Sequence, residues 1–152
     1  MIQYFYEGTY ELLKISIDLY KHIKDLVNEL ESISKLSIDK YTDNDCDSFE
    51  KYELEIVNKY FKPFNKNSVI NPNKIVKCNN PHFMADLEKL INDMGDISKK
   101  FISSTKEIIR KSEQIDDEEN PWMITRNFIC SNIDHMIKIV YDNINTMNKS
   151  IS

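Results

Sequence analysis

The chain has 152 residues, a charged fraction of 30% and a formal net charge of −5. That length suits one domain, spanning residues 1–152, with a core of its own. The acidic balance argues against a sequence-independent phosphate binder, so no direct nucleic-acid contact is expected. Two glycines and four prolines are too few for the many tight turns of an all-β fold.

Residue usage is skewed: 22 Ile, 18 Lys and 16 Asn stand against two Arg and one Ala. Helix propensity favours the reverse, so the skew does not serve folding. Ile, Lys and Asn have A/T-rich codons, which points to an A+T-rich genome: a low-GC bacterium, its phages and plasmids, a large DNA virus or a protozoan. The opening MIQYFYEGTY has neither a basic n-region nor an apolar h-region, and no uncharged apolar run approaches the ~18 residues of a membrane span. Neither a signal peptide nor a membrane contact is expected. Three cysteines at irregular spacing do not make a disulfide framework. The expected setting is cytoplasmic, in a bacterial or an infected host cell.

A first long helix is predicted over residues 9–41. Leu12, Leu19, Leu26 and Ile33 recur every seventh residue, which is two helical turns, so they share a face. Leu13, Tyr20 and Val27 run beside them, and Ile23 and Leu30 widen the stripe enough for more than one neighbour. Ile2, Tyr4, Phe5 and Tyr6 extend this helix or cover its end. Turn-forming residues fill 42–48, and Ser48 caps a short second helix that Pro63 stops after about residue 62.

Residues 62–80 form a long connection rich in Asn. Within it Val69-Ile70 and Ile75-Val76 flank Asn71-Pro72-Asn73-Lys74, the pattern of a small β-hairpin. Asn80-Pro81 then reads as an N-cap followed by proline at the first helical position. The third helix runs to about residue 115 on the row Leu87, Met94, Phe101, Ile108 and Ile115, widened by Leu90, Ile91 and Ile97. Asn120-Pro121 repeats the start signal. The fourth helix runs from 121 to about 148 on Met123, Cys130, Ile137, Ile144 and Ile151, with Ile133, Val140 and Met147 as a second row. The fold predicted is all-α: an up-and-down four-helix bundle of three long helices and one short one, with a long connection after the short helix.

Candidate chemistry is sparse. Cys78, His82, Cys130 and His135 offer two Cys and two His for zinc, but Cys130 and His135 are five residues apart, about 140° around a regular helix. Cys130 also sits on an apolar row, where cysteine acts as a small hydrophobe. Asp43, Asp45 and Asp47 match the first ligands of a calcium loop, yet Ser48 stands where Gly is needed and Leu54 where the bidentate Glu is needed. Neither metal is expected. A helical nuclease needs its Arg and His on one face, and ~100° per residue puts Arg126 and His135 apart; a core-edge Arg126 is the simpler reading. Two isolated glycines make no phosphate loop, and no cofactor is expected.

What remains is surface. The acids Asp116, Asp117, Glu118 and Glu119 precede Trp122, the single tryptophan, and Phe64 lies in the long connection off any row. Charge that steers and aromatics that anchor make these six the expected partner-binding residues. The expectation is a non-enzymatic protein–protein interaction module. It is an inhibitor or modulator of the anti-defence or immunity kind, from a phage, virus or mobile element. Its partner is a protein, such as a nucleic-acid-binding host or defence protein whose basic groove attracts acids. The alternatives are a helical nuclease-like enzyme using Arg126, His135 or His82, and a structural homo-oligomer, for which a homodimer is the simplest form.

Overall fold

The computed structural model describes residues 3–6, 8–38, 54–56, 58–59, 75–78, 82–115 and 120–150. The described chain is dominated by helix. In order it holds strand β1 (Gln3–Tyr6), helix α1 (Thr9–Ser34), strand β2 (Ile75–Cys78), helix α2 (His82–Glu113), the short helix α3 (Pro121–Ile124), a π-helical segment (Thr125–Cys130) and helix α4 (Ser131–Ser150). No helix among the described residues is long and apolar enough to cross a membrane.

The first apolar row is buried throughout, at Leu12, Leu19, Leu26 and Ile33, as are Leu87, Met94, Phe101 and Ile108 of the second. Leu26 is 5% exposed, Phe101 7% and Ile137 7%, so all three long helices turn their predicted faces inward. Ile91, expected to widen the second seam, points outward instead.

Direction follows from the cross-contacts. Tyr10 and Phe83, near the starts of α1 and α2, meet edge to face at 5.1 Å between centroids. Lys100 Nζ donates to Asn28 Oδ1 at 2.7 Å, and the far ends of the two helices meet through Lys111 and Ser34. α1 and α2 therefore run parallel. Late in α4, buried Asn143 Nδ2 donates to Ser16 Oγ at 3.0 Å, early in α1, so α4 runs back antiparallel. The Ser16 hydroxyl in turn donates to Leu12 O at 2.6 Å, which satisfies a polar pair inside the core.

The two ends of the first helix and the strand at residue 75 differ from the expectation or add to it. The N-terminal residues form β1, not a helical extension. β1 pairs antiparallel with β2 in the register Gln3 to Cys78 and Tyr6 to Ile75. Ile75-Val76 thus has a strand partner in the N-terminus, while Val69-Ile70, the other half of the expected hairpin, lie outside the described residues. The ribbon ties the starts of α1 and α2 to one end of the molecule. α1 stops at Ser34, short of residue 41. The carbonyls at its end, which lack intrahelical donors, are met from another helix: Ser34 O accepts from Lys111 Nζ. Most of the predicted short helix lies outside the described residues; within it residues 54–56 are helical and Ile56 joins the core.

The fourth helix starts at Pro121 as expected, but it is not uniformly wound. A π turn carries one residue more than an α turn, so it acts as a one-residue insertion. Trp122 lies eight residues before Cys130, one more than the row allows, and it is Trp122 that is fully buried while Met123 is half-buried. The second row shifts likewise: Thr125 is buried and Arg126 is displaced to a half-buried position.

Candidate interaction surface

The junction between α2 and α3 is built from the Asn-Pro start signal. Asn120 Oδ1 accepts the Met123 amide at 2.9 Å, and Pro121 occupies the first helical position, where no amide donor is needed. Thr125 Oγ1 donates to Pro121 O at 2.8 Å. This cap sets the direction in which Trp122 enters the core.

Lys111 covers the Trp122 ring. Its Nζ lies 5.0 Å from the ring centroid, and the residue is only 7% exposed. The ammonium donates to the backbone carbonyls of Ser34 and Leu36. The reason lies in α1, whose last turn has no basic residue of its own. The carbonyls at a helix C-terminus lack intrahelical donors and carry partial negative charge, so a cation is stabilising there. Lys111 supplies it from the last turn of α2.

Glu107 stands one turn earlier, 3.7 Å from Lys111 Nζ. Its carboxylate accepts from Arg110 Nε at 3.1 Å, and this hydrogen bond is the main reason its carboxyl is held below the ordinary carboxylate range. The pair is at the surface, where such bridges contribute little to stability. Its effect is on charge: Arg110 and Lys111, the two cations nearest the acidic run in sequence, are both engaged.

Of the six residues expected to bind a partner, Trp122 is a core residue, and its anchoring role on the surface is corrected to that of a plug under Lys111. Asp116, Asp117, Glu118, Glu119 and Phe64 lie outside the described residues. The acids connect Ile115, half-buried at the end of α2, to Asn120, whose cap is buried. Lys111 is the residue that sequence reasoning passed over. A lysine in a polar stretch reads as solvated, and its carbonyl partner Ser34 is 77 positions away.

The described metal and nuclease candidates differ in burial, with Arg126 half-buried. Cys130 is buried and accepts a hydrogen bond from Thr105 Oγ1 at 3.7 Å. Burial raises its thiol pKa, against smaller lowering effects of the Thr105 hydrogen bond and the Arg126 charge. His135 is exposed on the other side of the same helix, and His82 is exposed at the start of α2. Among the described residues no three His, Cys, Asp or Glu side chains are grouped as a metal ion requires. Asp43, Asp45 and Asp47 lie outside the described residues. At the ribbon end, an open groove of about 370 Å³ runs between α1 and α2, where Lys14 and Lys21 alternate with Asp18 and Asp86 around Phe83. No protein-family model matches the chain, and no curated protein or solved structure is significantly similar to it.

Proposed function

We propose that this chain is a non-enzymatic interaction module, an inhibitor or modulator that docks on a basic protein surface through Asp116, Asp117, Glu118 and Glu119. The observation that supports this reading is the engagement of the neighbouring cations: Lys111 is turned inward to the carbonyls of Ser34 and Leu36, and Arg110 pairs with Glu107. The flanks of the four consecutive acids are tied to the core through Trp122 and the Asn120 cap, and the two nearest cations in sequence have partners elsewhere. A rigidly flanked charged run steers a partner without a large ordering cost. Phe64 is the aromatic contact of the same reading, and residues 48–62 are its fourth bundle helix. A nucleic-acid-binding protein, host or defensive, has the basic groove that such a surface would occupy. The anti-defence or immunity role is part of the same proposal and is supported by small size and an amino-acid usage typical of A+T-rich genomes; the proposed cytoplasmic setting is supported by the irregular cysteine spacing.

The test is charge reversal. The chain is used to capture its partner from cells, and association is then followed for the wild type and for the variant with Asp116, Asp117, Glu118 and Glu119 changed to Lys. The variant is expected to associate more slowly, with a flatter dependence on ionic strength, while its circular dichroism is unchanged. Equal rates and equal salt slopes would exclude this surface.

A further inference from the structure

One face of α2 is apolar and is not covered by the described residues. Met84, Ile91 and Ile102 are 43%, 38% and 52% exposed, and half-buried Ile109 continues the row. Their spacings, with Gly95 between them, are seven, four, seven and seven residues, which is a single stripe along the helix. It is distinct from the core row of Leu87, Met94, Phe101 and Ile108. The stripe runs for ~38 Å at the rise of an α-helix.

Gly95 sits at its middle, inside the helix, where glycine weakens the backbone. The fold itself does not demand glycine there: an added Cβ would meet nothing within 4 Å. The missing side chain leaves room for another helix to approach closely.

The stripe is self-complementary in one orientation. A two-fold axis between residues 96 and 97 sets Ile91 against Ile102 of a second copy and Met84 against Ile109, with Gly95 near the axis. Glu88 and Lys106, both exposed, flank the stripe on the same side and at heights from that axis that differ by one residue, ~1.5 Å. Antiparallel pairing therefore brings each Glu88 to Lys106 of the second copy, giving two symmetric ion pairs. Parallel pairing about a two-fold along the helices would put the two Glu88, and the two Lys106, on opposite sides of the seam, and neither bridge would form. We infer that α2 is a homodimer interface, in which the Met84–Ile91–Gly95–Ile102–Ile109 stripes of two copies pack antiparallel between Glu88 and Lys106 bridges. The residues used are separate from the acidic run, so this interface and the proposed docking surface stand or fall independently.

Sedimentation equilibrium of the full chain at micromolar to submillimolar concentration provides the test. The wild type is expected to dimerise, and the Ile91→Lys/Ile102→Lys variant to be monomeric with unchanged helical circular dichroism. A monomeric wild type, or a dimer that survives both lysines, overturns the proposal. Orientation is read from charge: Glu88→Lys alone and Lys106→Glu alone should each weaken self-association roughly ten-fold at low salt, by replacing two attractions with two repulsions. The Glu88→Lys/Lys106→Glu double variant should recover the wild-type affinity, because swapping both signs restores both pairs. Failure to recover, or insensitivity to the single changes, rules out the antiparallel register.

Discussion

Lys111 of α2 lies over the indole of Trp122 and donates to the carbonyls that end α1, so one ammonium joins three helical elements. Its removal should be felt at both contacts. Lys111→Met keeps the aliphatic stem but leaves two helix-end carbonyls without their donor. It should cost about 1–3 kcal/mol in urea unfolding. Trp122→Ala, which empties a fully buried site, should cost about 3–5 kcal/mol. In the double-mutant cycle, a coupling of about 0.5–2 kcal/mol is expected. Additive losses would mean that the ring and the cation do not interact.

The Asn143–Ser16 pair predicts a different pattern. Ser16→Ala leaves the Asn143 amide buried without its acceptor and should cost about 1–3 kcal/mol. Replacing both residues, as Ser16→Ala with Asn143→Leu, should cost less than Ser16→Ala alone, because no polar group is then stranded. A double variant less stable than the single would show that this pair adds net stability rather than only matching its own burial.

Phe101→Ala tests the bundle itself. The side chain is 7% exposed on the core row, and truncation should lower stability by about 3–5 kcal/mol. A change below about 0.5 kcal/mol, the range of surface substitutions, would place Phe101 outside the core.

The Cys130 thiol sets a pH dependence. Unfolded, it ionises near its ordinary value of 9.0, whereas burial raises the pKa in the folded chain. The folded state therefore holds the proton more tightly. Its contribution to stability is complete below the unfolded pKa and declines as pH rises from there through the folded value, by at most about 1.4 kcal/mol per pH unit. Unfolding free energies measured from about pH 8 to pH 10 should fall more steeply for the wild type than for Cys130→Val. Parallel curves would count against the shift.

The long helices were legible because burial repeats with the helical period: Leu12 to Ile33 and Leu87 to Ile108 are inside as their spacing implies. The Asn120-Pro121 cap was legible for the same reason, being local chemistry. Other features depend on distant residues. Ile75 and Val76 are strand-forming wherever they occur, but no local pattern reveals that their partner is the N-terminal Gln3–Tyr6. The carbonyls at the end of α1 are met by Lys111, which belongs to another helix. The six expected contact residues are marked by chemistry alone, and Trp122 shows the limit of that mark, since a large aromatic at a helix start serves a core as readily as an interface. Arg126 was read onto the Ile133 row with a uniform 100° step, an assumption that the π turn breaks.

That same turn bears on how relatives of this chain will align with it. A homologue lacking one residue between Trp122 and Cys130 could keep every buried seat by winding the stretch as plain α-helix. Its tryptophan would then stand seven positions before its cysteine. An ungapped alignment would set that tryptophan against Met123 and displace everything upstream by one column. A single gap placed inside the helix, where gaps are ordinarily penalised most, restores the correspondence.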